Sequence, residues 1–491
     1  MILKRILTTF ILLVSLTGFA QDNVFLNRDF WAAKPTVKIV KEKIKEGHNV
    51  AEANSNNFDP VVYAILQDAD TKVIKYIQSR DGNDVNKLTH DGRTYIFWAA
   101  YKGNIEVMEY LLKEGAKTDI TDDKGNTILN FAAASGQKNT EVYELCLKNG
   151  ANLKTDLNPD GANALLISAA ADNEMKLLTY FTSKGLNLNS TDAKGNDIFN
   201  YVARSGDIER LNKLREMGAK GSDQAFLFAA YGERRKTNGI EVYEYLNSLG
   251  FNLKTADEDG VTPFHIVASK NKDLNIINFF LSAKANVNAK DNNGNTPFLN
   301  AAKHNDIKVV KELFNKVLDI NLVNKKGASA VSLAVADNSS EVVRFLIENK
   351  ANVNVIDAKG NNIVAPLMES FSAKKADDFK AKIKLLEAEG VAIDKQQRNG
   401  NTLYHLAVAE NNLQLIQWIG NYGVDINAKN TEGNTPLLLA AMTAKNTKIL
   451  EYLLSKGASK KATTDFGETA YDLALENEIL KAKQIDINFL K

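Results

Sequence analysis

Eleven glycines punctuate the chain at Gly92, Gly125, Gly161, Gly195, Gly260, Gly294, Gly327, Gly360, Gly400, Gly433 and Gly467, with spacings of 33, 36, 34, 65, 34, 33, 33, 40, 33 and 34. A period of this size constrains the fold more than composition does. Each period must be one supersecondary unit, and it can bury its apolar face only against its neighbours. The flanking segments align as well: DGRTYIFWAA (91–100), KGNTILNFAA (124–133), DGVTPFHIVA (259–268), NGNTPFLNAA (293–302), NGNTLYHLAV (399–408) and EGNTPLLLAA (432–441). The gap of 65 conceals a degenerate repeat, DQAFLFAA, with Ser222 in the glycine place. Twelve repeats are countable from 91 onward. Residues 58–86 fit as another, and 30–50 as a frayed first one.

A second register supports the first. Gly115, Gly185, Gly250, Gly390, Gly423 and Gly457 each stand ten residues before a turn glycine and close an amphipathic run such as IEVMEYLLKEG. Glycine just past a helix end adopts the left-handed conformation at little cost. Thr262-Pro263, Thr296-Pro297 and Thr435-Pro436 read as helix starts, with threonine capping and proline at the first helical position. Each repeat is therefore a tight turn, a short Ala-rich helix, a brief link and a longer helix rich in Leu, Ile and Val. Leu439 is expected in the core of the first helix after Gly433.

These residues resemble the ankyrin repeat, with its turn glycine, Thr-Pro-Leu-His helix start, paired alanines and closing glycine. The Thr-Pro pair is kept in three repeats, His265 and His405 occupy the family's histidine place, and Val317, Lys284 and Lys350 replace the closing glycine. The resemblance implies an all-α repeat solenoid of helix-turn-helix units with short β-hairpin turns, 13–14 repeats in all. The expected organisation is a signal peptide over 1–20, divergent capping repeats over 21–90 and one array over 91–491, capped by 467–491. Extra residues at 231–241 and 371–384 are expected as lengthened loops between helices, where added length is cheap.

Residues 1–20, MILKRILTTFILLVSLTGFA, have a basic start at Lys4 and Arg5, an apolar run from Ile6 to Leu16, and small residues at Gly18 and Ala20. This pattern predicts a secretory signal peptide cleaved before Gln21. The run is too short for a permanent bilayer span, so no membrane insertion is expected after cleavage. The 61 basic and 60 acidic side chains leave a formal net charge of +1, which excludes a global basic field for nucleic acid. One cysteine permits no internal disulfide. The 55 asparagines are expected in tight turns, where their side chains tolerate left-handed backbone.

The search for chemistry returns no catalytic site, metal site or cofactor site. None of His48, His90, His265, His304 and His405 pairs with another at metal-ligand spacing. His265 and His405 are expected to bond within their own turns, His90 and His304 to be solvated, and Cys146 to be a buried apolar residue. The D-x-x-G strings recur once per repeat and are turn chemistry.

What the resemblance implies is a non-catalytic scaffold that binds a protein partner through its concave face, as a monomer. The signal segment leads us to expect an exported compartment, the periplasm first and secretion second, and a bacterial source is expected from the short signal and the Lys- and Asn-rich composition. The alternatives are a dedicated accessory or inhibitor subunit of an exported enzyme, and a host-directed effector. In ankyrin-like repeats, the exposed first-helix positions lie nine and ten residues after the turn glycine. That offset assigns Tyr101, Lys102, Arg204, Tyr231, Lys270, Lys303 and His304 to partner binding, followed by Asp337, Glu369, Glu410 and Asn477. The early positions are basic and aromatic, the later ones acidic.

Overall fold

The computed structural model describes residues 23–233 and 236–491. The expected signal segment, and Arg234 and Arg235 of the first insertion, lie outside the described residues. Among the described residues the chain forms 28 α-helices, which fall into fourteen successive pairs. Twelve of these pairs lie beyond residue 91, as the glycine register predicts.

The helix starts follow from the caps. Helices begin at Pro263, Pro297 and Pro436. Thr296 Oγ1 accepts the Leu299 amide at 3.2 Å and Thr435 Oγ1 the Leu438 amide at 3.3 Å. The closing positions behave in two ways. Lys284 and Lys350 take the left-handed conformation in place of glycine, at φ 59° and 69°. Val317 does not, because a β-branched side chain is strained there. The chain instead closes with the Lys316 and Val317 amides on Leu313 O and Phe314 O. In the degenerate repeat the left-handed residue is Gly221, φ 67°, one place before Ser222.

Most of the turns are organised by one side chain. Asp291 Oδ1 accepts the amides of Asn293 and Asn295, both at 2.8 Å, and Asp357 Oδ1 does the same for Lys359 and Asn361. The hairpin character is reduced to single antiparallel bridges, such as Val323–Ser329 and Ile356–Asn362. Neighbouring tips join through one backbone bond each, Lys325 N to Asn293 O and Ala358 N to Lys326 O, both 2.9 Å. Gly327 shows why the turn needs glycine. Its φ is +76°, and a Cβ there would sit 2.8 Å from Ala358 N and Asp357 Cα.

The chain parts into two compact units. The first runs to Tyr201 and includes Leu214–Lys220; the second comprises Val202–Lys213 and Gly221–Lys491. The division falls in the repeat from Gly195, whose following turn is short. In the first unit Trp31, Tyr95, Phe97, Tyr143 and Phe181 are buried; in the second, Phe226, Tyr243, Phe264, Phe280 and Phe379. Leu439 is only half-buried, and its neighbour Leu438 is the fully buried one.

The asparagines do more than make turns. In the second unit, an asparagine after several of the first helices reaches back one repeat. Asn305 Nδ2 donates to Ala268 O and Asn271 O, both at 2.8 Å, and Asn338 Nδ2 to Ala302 O at 2.9 Å and Asn305 O at 2.7 Å. Asn238 and Asn477 do the same, on Arg204 O and on Ala441 O and Ala444 O. This ladder satisfies the open carbonyls at the ends of the first helices.

The second insertion is explained by the same ladder. Residues 376–388 are not a loop: Ala376–Ala388 is a 13-residue helix where the other second helices from Ile240 onward have five to nine. From it the buried Lys382 Nζ donates to Val335 O at 3.0 Å, taking the asparagine's place. Asp378 supports it, 3.3 Å from Lys382 Nζ and accepting the Ser340 amide at 2.7 Å. Burial holds the Lys382 ammonium below its ordinary range, against the pull of Asp378. Replacing Asn338 by alanine is expected to cost about 2–3 kcal/mol, since two carbonyls and the Ser339 amide lose their partner. Urea denaturation checks this, and a loss below about 0.5 kcal/mol would show that water replaces the side chain.

Candidate interaction surface

The offset of nine and ten residues lands on the C-terminal ends of first helices. In the first compact unit, Tyr101 and Lys102 end the helix Tyr95–Lys102. Tyr101 is exposed, with its ring stacked 5.9 Å from that of Phe131, and Lys102 Nζ lies 2.8 Å from the Asp68 carboxylate.

In the second unit the predicted residues form a row. Arg204 places its guanidinium 5.5 Å from the Phe228 ring centroid, and Lys270 its ammonium 5.4 Å from that of Tyr231. The Tyr231 hydroxyl is bonded to Asp257; burial first, then that carboxylate, raises its pKa. Lys303 and His304 end the helix Pro297–His304, and Lys303 Nζ is 3.6 Å from Asp337. His304 is exposed at the helix end, and partial burial together with Lys303 depresses its pKa. The acidic stretch continues the row. Partial burial, Glu410 and Asp337 all hold the Glu369 carboxyl above its ordinary range.

Two expected positions are corrected. Asn477 is buried because its helix ends at Glu476, so offset ten falls on the ladder position instead of the surface. His90 is not a freely solvated side chain: its ring stacks 4.4 Å from Phe58, and Nδ1 lies 2.9 Å from Asn56 O.

His265 and His405 do bond within their own turns, and they also reach the next repeat. Nδ1 of His265 accepts the Thr262 amide at 3.1 Å, and Nε2 lies 2.9 Å from Ala289 O. His405 matches it, with the Thr402 amide at 3.1 Å and Asn434 O at 2.9 Å. Both roles require the neutral ring, and burial holds both pKa values below 6.5. The unfolded chain therefore takes up protons first. Stability is complete above about pH 6.5 and falls as pH drops through it, by up to about 1.4 kcal/mol per pH unit for each ring. The melting temperature is expected to fall from pH 7.5 to 5.5. His265→Asn with His405→Asn should flatten that slope, asparagine being the residue at the equivalent Asn130 and Asn200. An unchanged slope would place the dependence elsewhere.

Among the described residues no group of three or more His, Cys, Asp or Glu is placed to hold a metal, and no helix is long and apolar enough to cross a membrane. Burial raises the Cys146 thiol to about 12, so it is not a reactive thiolate.

Paired helices, turn glycines and inter-repeat ladders define a helical repeat protein that presents a row of helix ends. The family described as ankyrin repeats (3 copies) matches residues 30–122, 61–156, 226–324, 264–357, 298–380 and 371–465, and the chain belongs to it. Ankyrin repeats are in general protein–protein interaction modules. Among curated proteins, the chain is similar to the phosphocholine transferase AnkX of Legionella pneumophila, 26% identical over 39% of this chain and 22% of that one. It is also similar to the human transient receptor potential cation channel subfamily A member 1, 24% identical over 53% of this chain and 24% of that one. The chain thus spans about a quarter of the length of the curated relatives it matches. Among solved structures, the ankyrin repeat domain of Bcl-3 is 20% identical with a TM-score of 0.33, covering 46% of this chain and all of that one. Human ASB11 is 21% identical with a TM-score of 0.36, covering 45% and 96%.

Proposed function

We propose that the protein is a non-catalytic binding scaffold that works in an exported compartment, the periplasm, as a single chain holding a protein partner. The observation that carries this reading is the row in the second compact unit. Arg204, Tyr231, Lys270 and Lys303 stand on successive first-helix ends, in the order basic and aromatic before Asp337, Glu369 and Glu410. Tyr and Arg carry much of the energy of protein interfaces. A charge gradient along such a row orients an incoming partner and speeds its encounter. An acidic partner surface is expected at the basic end. Export rests on Lys4, Arg5, the run from Ile6 to Leu16, and Ala20.

The test is a pull-down from envelope extract with the tagged protein, followed by affinity measurement on the partner recovered. Changing Arg204, Tyr231 and Lys303 together to alanine is expected to weaken binding at least tenfold with the melting temperature unchanged. These groups are partly exposed, and their contacts with Phe228, Lys270 and Asp337 add little to stability. Unchanged affinity would remove the row from the interface. A single stoichiometric partner would indicate a dedicated accessory subunit. N-terminal sequencing checks export: the envelope-resident protein should begin at or near Gln21, and intact Met1 in the cytoplasm would refute it.

A further inference from the structure

A recess of about 500 Å³ opens in the second compact unit between the helices Ala330–Asp337 and Val364–Glu369. Two features of the chain create it. Val364–Glu369 has six residues where Pro297–His304 and Ala330–Asp337 have eight, so the first helix of this repeat stops short. Small residues, Gly327, Ala328, Ala336, Ala358 and Ala365, also stand among those that line it and leave room between the larger ones. The volume suits a side chain with its flanking residues better than a bare ion.

The charges around the recess are unevenly shared. Lys325, Lys326 and Lys359, with Asp357, line it from the turns, and Asp337 and Glu369, with Lys303, line it from the helix ends. Among the described residues, Lys325, Lys326 and Glu369 have no ion-pair partner within 4.0 Å, and Asp337 is held only by Lys303 at 3.6 Å. That distance is long for a charge-assisted bond and leaves the carboxylate open to a better donor. The floor offers apolar surface at Leu333 and Pro366.

We propose that this recess receives a basic side chain, arginine or lysine, from the protein partner, with an acidic residue beside it in the partner's sequence meeting Lys325 and Lys326. The inference rests on the scaffold reading and deepens it by naming the charge held at this place. The aliphatic stem of a long basic side chain would lie on Leu333 and Pro366, and its head would sit between Asp337 and Glu369. That head relieves the mutual repulsion of Asp337, Glu369 and Glu410, the same repulsion that helps to raise the Glu369 pKa. The reversed order, acid inward and base outward, would set like charges against each other at both rims and is rejected.

The experiment pans a random heptapeptide phage library on the immobilised full chain. The recovered peptides are then synthesised and their affinities measured by fluorescence anisotropy. Recovered peptides are expected to carry Arg or Lys next to Asp or Glu. Asp337→Lys with Glu369→Lys should weaken their binding at least tenfold while the thermal melt is unchanged. Exchanging the peptide's basic residue for glutamate should restore affinity to that variant and not to the wild type. Peptides without the charge pair, or affinity indifferent to the reversal, would overturn the inference. If the reversal has no effect but Arg204→Ala with Tyr231→Ala abolishes binding, the inference fails and the scaffold reading stands. If no peptide responds to either variant, both fall. Displacement by free L-arginine at equal concentration would assign the recess to a small amino acid and overturn a protein-borne ligand.

Discussion

An aspartate at Leu438 is expected to melt the end of the second compact unit while leaving its beginning folded. Leu438 is fully buried in the helix Pro436–Thr443, beside the equally buried Ala441, Leu450 and Leu453. The change removes about 1.5–3 kcal/mol of apolar burial. It also places a carboxylate among aliphatic side chains without a partner, which costs several kcal/mol more. The total exceeds about 5 kcal/mol, beyond what most single substitutions do. In a repeat protein, contacts join neighbours only, so such a loss stays local. Hydrogen exchange should become fast over residues 430–491 and remain slow over the helices Pro263–Lys270 to Ser340–Glu348. Uniform loss of protection across residues 221–491 would mean that the unit unfolds as one. Leu439→Asp is the control: half-buried, it should cost roughly 1 kcal/mol, in the ordinary range for single substitutions.

That contrast shows what could be read from the sequence and what could not. The glycine register placed the helix starts at Pro263, Pro297 and Pro436 because caps and turn residues act within a few positions of themselves. It did not separate Leu438 from Leu439, since a helix buried on most of its circumference gives no sharp apolar face to count from. The asparagine ladder was invisible for a different reason. The partners of Asn305 and Asn338 lie 33 to 37 residues away, so nothing local distinguishes them from turn asparagines. Lys382 was hidden further, because a lysine in an insertion reads as solvated charge until Val335 O is seen beside it. On the candidate surface, the offset rule found Arg204, Tyr231, Lys270 and Lys303 at or just past the ends of their first helices. It failed at Asn477, whose side chain turns inward to Ala441 O and Ala444 O. The recess was not legible at all. It depends on the absence of side-chain volume across two repeats, and an absence leaves no motif.

The largest effect expected in the first compact unit comes from Asp59, which caps the helix Pro60–Leu66. It is almost fully buried and does three things at once. Oδ1 accepts the Val62 amide at 2.9 Å, Oδ2 accepts the Tyr95 hydroxyl at 2.7 Å, and Lys87 Nζ lies 3.0 Å from Oδ2. Lys87 also reaches Ala51 O at 2.9 Å, and Asn83 Nδ2 donates to Val50 O at 3.0 Å and Ile77 O at 2.9 Å. The cluster thus ties three consecutive repeats around one carboxylate. The Tyr95 hydroxyl stays protonated, its pKa raised by burial first and by the Asp59 charge next. Asp59→Ala strands the Lys87 ammonium without a counter-charge and is expected to cost about 3–5 kcal/mol. Loss of a cap alone costs about 1 kcal/mol, so the size of the effect decides between hub and cap. Asp59→Asn keeps an acceptor for the amide and the hydroxyl while removing the charge, and should fall between the two. A double-mutant cycle with Lys87→Met isolates the ionic part, and a coupling above about 1 kcal/mol in urea denaturation is the expected result. Additive single costs would show that Lys87 is held by Ala51 O and Asn83 alone, leaving Asp59 as a cap.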